Sequence, residues 1–367
     1  MRNTFFVLLI LSILISTLGI LSIYSATHDK PGRLWQDIYK RQLLWVSLGL
    51  SMFLIISHFN YRRIWDWIYP LYGLSVLFLA MVFLLGITRL GAQRWLKIGW
   101  FNFQPTELTK LVMIIVLAGY FSRKSPDNIS LLVKRMNLWQ GLILPFILVA
   151  IPVGLILEQP DLGSAVMLIF IFICIIYLSE VRLRYIIIFL LTLLALTPFF
   201  WYFLRDYQKE RVIVFLNPNI DPLGAGYTII QSKIAIGSGG LFGKGWLSGT
   251  QSQLHFLPES HTDFIFASFT EEWGFLGAIF LLGLYYLLIW QGILVSQRTT
   301  DPFGRLICLG ISLSLAFQVA INIAMNLGLA PVVGLPLPLM SYGGSSVLVT
   351  FISLGLLVNI DKTKNIF

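Results

Sequence analysis

Four stretches of this chain carry residue types able to do chemistry, and the sharpest of them ends on a carboxylate. Asp263 closes the polar run His255-Phe256-Leu257-Pro258-Glu259-Ser260-His261-Thr262-Asp263, and the apolar segment Phe264-Ile265-Phe266-Ala267 follows at once. A carboxylate partly withdrawn from water has a raised pKa, which suits it to take a proton from a substrate hydroxyl as a general base. Thr262 and Asp263 are also good N-cap residues for the helix that follows, so spacing alone leaves base and cap both open. Further along the same segment stand Glu271 and Glu272, roughly 12 to 14 Å below Asp263 on an unbroken helix. Buried carboxylates of that kind are read first as structural, bonded to a neighbouring helix.

The second stretch combines cations with an aromatic plate. Arg94, Trp95 and Lys97 lie within Gly91-Ala92-Gln93-Arg94-Trp95-Leu96-Lys97-Ile98-Gly99. Guanidinium and ammonium groups beside an indole suit pyrophosphate and sugar, although interfacial Trp and Arg also serve as plain anchors. Just beyond, Gln104-Pro105 opens a helix whose Glu107 and Lys110 are three apart and share one face. They can pair with each other or project together into a cavity.

The third stretch is the glycine run from Gly237 to Gly245, which contains Lys244. It lacks the first glycine and the final Ser or Thr of a nucleotide-binding loop, which argues against an ATP site. Glycines there let backbone approach backbone or ligand, and Lys244 offers a compact charge to a phosphate. The fourth is polar by composition: the turn Leu157-Glu158-Gln159-Pro160-Asp161-Leu162-Gly163-Ser164-Ala165 and the loop from Gly334 to Ser346.

These stretches are held by a membrane fold. Of 367 residues 57% are hydrophobic and 12% charged, about half the usual charged share, so the excess apolar surface faces lipid. Apolar runs near 5–24, 43–58, 68–87, 107–121, 139–157, 163–179, 185–203, 264–290, 306–328 and 342–360 predict an all-α polytopic protein of about ten transmembrane helices. The first run is too long for a signal h-region and lacks an A-x-A site, so it counts as a helix. One long connection, 204–263, separates helices seven and eight, and the whole chain reads as a single transmembrane domain.

Arg2, Arg62, Arg63, Arg123, Lys124, Lys134, Arg135, Arg182, Arg184, Arg298, Arg305, Lys362 and Lys364 gather on one side, and Lys30, Arg33, Lys40, Arg41, Arg89, Arg94 and Lys97 on the other. The bias places both termini in the cytoplasm and all four chemical stretches on the external face. Cys174 and Cys308 sit inside apolar runs as packing residues. The net charge of +9 is scattered, with no basic cluster interleaved with aromatics, so no nucleic-acid partner is expected.

The motifs GAQRW with FNFQPTELTKL, EQPDLGSA, GYTIIQSKIAIGSGGLFGKG, FLPESHTDFIFA and PVVGLPLPLMSYGGSS run in order across nearly the whole chain. Together they resemble the SEDS family (shape, elongation, division, sporulation), and within it the RodA branch. Trp273 stands where many members have leucine. The resemblance implies a peptidoglycan glycosyltransferase of the bacterial inner (plasma) membrane. Its substrate would be lipid II and undecaprenyl-linked glycan, and its product glycan strands for elongation and rod shape. A class B penicillin-binding protein, the crosslinking transpeptidase, and other elongation proteins would be its partners.

Carried over by motif, Asp263 is the implied catalytic base, and Trp95 of the RW motif, Glu107 with Lys110 of the QPxExxKL motif, and His261 with Thr262 of the HTDF motif are expected to bind substrate. The implied reaction expels undecaprenyl pyrophosphate with inversion. Lys110, Arg94, Lys97, Lys244 and Arg211 are the cations expected to meet that leaving group, with a divalent ion, Mg or Mn, bound by Asp263 and the pyrophosphate as a further expectation. Two rival readings stay open: a lipid II flippase, with Glu107, Lys110, Glu271 and Glu272 as a polar path, and a non-catalytic activator of a penicillin-binding protein.

Overall fold

The computed structural model describes residues 2–28, 35, 37–89, 92–99, 101–123, 138–179, 181–224 and 226–363. Lys30, Arg33, Lys124, Lys134, Arg135 and Lys364, weighed above for orientation, lie outside these residues, as does Gly91.

Long apolar runs fold as helices because lipid offers the backbone no hydrogen-bond partner, and a helix satisfies its own groups. The main helices in chain order are α1 (Arg2–Thr27), α2 (Ile38–His58), α3 (Ile64–Leu85), α4 (Pro105–Arg123), α5 (Leu144–Glu158), α6 (Leu162–Leu178) and α7 (Leu183–Phe203). After a long connection holding α8 (Asp206–Leu216), α9 (Tyr227–Ser238) and α10 (Thr250–Gln253) come α11 (Ile265–Arg298), α12 (Pro302–Asn326) and α13 (Gly344–Thr363). Among the described residues eight helical segments are long and apolar enough to cross a membrane, and the shorter apolar helices Leu162–Leu178 and Leu183–Phe199 complete about ten.

The spans of α4 and α13 are 83% buried and make the centre of the bundle, while that of α3 is 22% buried and faces outward. α13 lies against α2 at close range, where Gly49 meets the Phe351 ring and Gly355 the Phe53 carbonyl. Small residues at such crossings let helices approach closely in lipid.

Two features go beyond an all-helical reading. Between α3 and α4 the chain forms a three-stranded antiparallel sheet, β1 (Gly86–Arg89), β2 (Ala92–Ile98) and β3 (Phe101–Phe103), with Trp95 opposite Ile87 and Leu96 opposite Phe103. The long connection is also folded, its helices set on the bundle end where α1, α3, α5 and α7 finish.

α11 is broken at Gly274, whose φ of 68° only glycine adopts without strain. The glycine run lies along that break. Lys244 and Gly245 N–H donate to the Glu271 and Glu272 carbonyls at 3.0 Å each, and Phe275 and Leu276 N–H donate to the Gly240 and Leu241 carbonyls at 2.9 and 3.1 Å. A Cβ on Gly243 would meet the Glu272 carbonyl at 2.1 Å, so here glycine permits backbone to touch backbone.

The depth expected for Glu271 and Glu272, both ahead of the break at Gly274, is corrected by a contact with α1. The Ser25 hydroxyl, two residues from the last residue of α1, donates to Glu272, which therefore sits at that end of the bundle.

Candidate functional site

Asp263 stands at the end of the long connection, half-buried, one residue ahead of the helix N-cap Phe264. No side chain caps α11, so the cap reading of Asp263 does not hold. Its main-chain carbonyl accepts from Asn322 Nδ2 and Asn326 Nδ2, both at 3.0 Å. Its carboxylate rests over Gly334, where a Cβ would lie 3.7 Å from Oδ2. Gly334 has φ +74°, and the backbone of its loop thus forms one wall of the site.

Three other elements bring charge to this carboxylate. Burial and the Glu259 carboxylate push Asp263 up from 3.8 to about 6, while Arg211 and Arg94 pull it down and Asp161 adds a smaller upward push. Arg211, on α8, donates to the Val332 carbonyl at 2.9 Å and lies beside the Tyr207 ring. Its own pKa is lowered by burial and then by the Arg94 charge. Arg94, on β2, donates from Nε to the Gln159 carbonyl at 3.3 Å and from its terminal nitrogen to the Pro160 carbonyl. Asp161 caps α6 by accepting from Ser164 N–H at 3.2 Å and Ser164 Oγ at 2.8 Å.

Two guanidinium groups therefore stand together, each held by main-chain carbonyls, and neither forms an ion pair among the described residues. Like charges at close range repel, so this arrangement stores attraction for an incoming anion.

The other expected residues fall into separate places. His261 is buried, with its carbonyl accepting from Tyr342 N–H at 2.9 Å and its ring edge-on to Trp35 at 5.5 Å. Thr262 Oγ1 donates to Glu259 Oε2 at 2.9 Å, and its carbonyl accepts from Ser341 Oγ at 2.6 Å. Both residues thus tie the Asp263 segment to the loop before α13.

Glu107 and Lys110 are buried in α4 and paired at 2.7 Å, with Lys110 Nζ also donating to Gln318 Oε1 at 3.2 Å. They line a small cavity of about 30 Å³ with Ser314, Gln318, Thr350 and Ser353, room for about two waters. Pairing and cavity, posed above as alternatives, occur together.

Strand alternation puts Arg94 on the face of buried Leu96 and turns half-buried Trp95 and exposed Lys97 to the other face. Lys244 is separate again. Its Nζ is bonded to Glu271 Oε1 at 2.7 Å and Thr250 Oγ1 at 2.8 Å. Asp263, Arg94 and Arg211 are thus brought together, and Lys97, Lys110 and Lys244 are held elsewhere.

Asn322, Asn326, Tyr207, Asp161 and Gly334 also belong to the site; sequence reading singled out the segments of Asp161 and Gly334 but gave none of the five an individual role. The two asparagines, four apart at the end of an apolar helix, were the legible signal. For the divalent ion expected at Asp263, no group of three His, Cys, Asp or Glu side chains gathers among the described residues. Asp263 and Glu259 would give such an ion at most two carboxylates, in the manner of sites that substrate phosphates complete.

Taken together, the fold and site define a polytopic membrane protein with a half-buried carboxylate and, at one end of its bundle, two arginines without an ion pair among the described residues. The chain belongs to the cell cycle protein family of FtsW, RodA and SpoVE, whose model matches residues 3–366. It is 40% identical over 346 residues to the peptidoglycan glycosyltransferase MrdB of Escherichia coli K12, covering 94% of this chain and 90% of that one. It is 32% identical to the peptidoglycan glycosyltransferase RodA of Treponema pallidum, covering 98% of each.

Among solved structures it matches a chain of a peptidoglycan synthase complex, described as coordinating polymerization and crosslinking, with TM-score 0.81, 35% identity and 98% coverage of both chains. The rod shape determining protein RodA of Thermus thermophilus matches with TM-score 0.70 and 30% identity, covering 98% of this chain and 96% of that one.

Proposed function

We propose that this peptidoglycan glycosyltransferase polymerises lipid II with Asp263 as its general base. The observation that carries the reading is the position of Asp263, half-buried, free of ion pairs among the described residues and next to Arg94 and Arg211. Asp263 takes the proton of the acceptor sugar 4-hydroxyl as its oxygen attacks the anomeric carbon of the donor. The bond from that carbon to the phosphate oxygen breaks, its electron pair leaves with undecaprenyl pyrophosphate, and the configuration inverts.

Arg94 and Arg211 receive the departing negative charge, which grows in the transition state where fixed cations act most strongly. A divalent ion held by Asp263 and the pyrophosphate would supply further charge neutralisation there. Trp95 and Lys97, on the outer face of β2, form a second surface for sugar or phosphate of the incoming lipid.

The membrane is the bacterial plasma membrane, with Arg62, Arg182, Arg184, Arg298, Arg305 and Lys362 on the cytoplasmic side and Asp263 on the external side. A class B penicillin-binding protein crosslinks the strands and binds the same side. The flippase reading is less favoured, because Glu107 is bonded to Lys110, Glu271 to Lys244, and Glu272 accepts from Ser25.

The experiment is glycan-chain formation from purified lipid II in detergent with a class B partner, parent against Asp263→Asn at equal folding. Loss of polymer in the variant supports the base; equal polymer from both removes it.

A further inference from the structure

The end of α12 holds the main chain of Asp263. Asn322 and Asn326 are both fully buried, one turn apart, on the face turned to Asp263. A carbonyl oxygen has two lone pairs, and both on Asp263 are taken, one by each asparagine at 3.0 Å. Asn322 Nδ2 also donates to the Leu335 carbonyl at 2.8 Å, next to Gly334 beneath the Asp263 carboxylate. Asn326 Oδ1 accepts from Ala267 N–H at 3.2 Å, a group in the first turn of α11 that it shares with the Phe264 carbonyl at 3.1 Å. The asparagines bind each other too, Asn326 Nδ2 donating to the Asn322 carbonyl at 2.8 Å.

One more bond leaves this cluster in a different direction. The Ser232 hydroxyl, buried on α9, donates to the Asn326 carbonyl at 2.7 Å. α9 belongs to the long connection and not to the spanning bundle, and Gly328, with φ +70°, ends α12 against the Lys233 side chain. A shift of α9 is therefore handed to Asn326, and from Asn326 to the main chain of Asp263.

We propose that Asn322 and Asn326 are positioning residues for Asp263, and that Ser232 couples the placement of α9 to them. This rests on the reading of Asp263 as the base. The physical reason is that general-base catalysis needs the carboxylate within hydrogen-bond reach of the hydroxyl, and misplacement by about 1 Å costs on the order of 100-fold in rate. An asparagine pair fixes a main-chain carbonyl from two directions and adds no charge that would disturb the carboxylate.

The test uses the purified full-length protein with its class B partner, lipid II as substrate, and separate kcat and KM values. Asn322→Ala and Asn326→Ala are each expected to lower kcat about tenfold, and the double variant about 100-fold, with KM within about twofold of the parent. A role in substrate binding would instead raise KM, and that result, or an unchanged kcat in the folded double variant, overturns the proposal.

Ser232→Ala, away from the bundle core, keeps the question open to test where the asparagine variants do not fold. It is expected to lower kcat about two- to fivefold at constant KM, the scale of one lost hydrogen bond, and an unchanged kcat removes the coupling to α9. Asp263→Asn in the same assay separates the two levels. If it is active, the base reading itself falls; if it is inactive while the asparagine variants keep parental kcat, only the positioning role falls.

Discussion

Lys244 Nζ stands 2.7 Å from Glu271 Oε1, and the Glu271 carboxylate it neutralises is fully buried. Thr250 Oγ1 and Gln251 N–H complete the shell of that carboxylate at 3.0 and 3.1 Å. Lys244 thus fastens the glycine run to the broken helix α11, which is a different task from meeting a phosphate.

Lys244→Ala is therefore expected to cost stability first. It strands a buried carboxylate, for which about 1–3 kcal/mol is reasonable given that the lysine side chain is 27% exposed. Unfolding in detergent checks this, and Lys244→Ala combined with Glu271→Gln should recover part of the loss. A raised KM at unchanged stability would return Lys244 to the substrate.

Asp263→Asn should reduce polymerisation about 10²- to 10⁴-fold. In the parent, the base works only when ionised, so the rate should rise with pH through about 6 and level off above it. The linkage has the matching sign. Folded Asp263 holds its proton more tightly than the unfolded chain at 3.8, so its contribution to stability is full below that value and is lost as pH rises to about 6. Unfolding measured across that window should be flatter in Asp263→Asn.

Arg211→Ala is expected to lower kcat and also to move the acid limb of the profile upward. Arg211 is the largest influence that lowers the Asp263 pKa, so its removal leaves burial and Glu259 less opposed. A rate–pH profile of the variant checks the direction; a limb that stays in place would separate Arg211 from Asp263.

Gly163→Ala should damage the site from a distance. Its Cβ would sit 2.4 Å from the Val333 carbonyl, adjacent to Gly334 beneath the Asp263 carboxylate, and that backbone cannot move without shifting the wall of the site. A loss of at least tenfold in kcat is expected. Gly154→Ala is the control, since its Cβ would meet nothing within 4 Å and activity should be unchanged.

The sequence by itself determined the membrane fold. Hydrophobic burial in lipid demands helices of bilayer length, and the run predicted at 306–328 appears as Pro302–Asn326, the run at 342–360 as Gly344–Thr363. It also determined that Asp263 is a carboxylate at the border of an apolar segment, because that is a local property of composition. Only the tertiary structure decided which cations reach it. Arg94 arrives on a strand, Arg211 on a helix of the long connection, and Asn322 and Asn326 from α12, all distant in the chain, while Lys244 is claimed by Glu271. Spacing shows that two residues share a helix face, but contact between segments depends on register and on breaks such as Gly274, where one glycine turns a continuous helix and docks a loop against it.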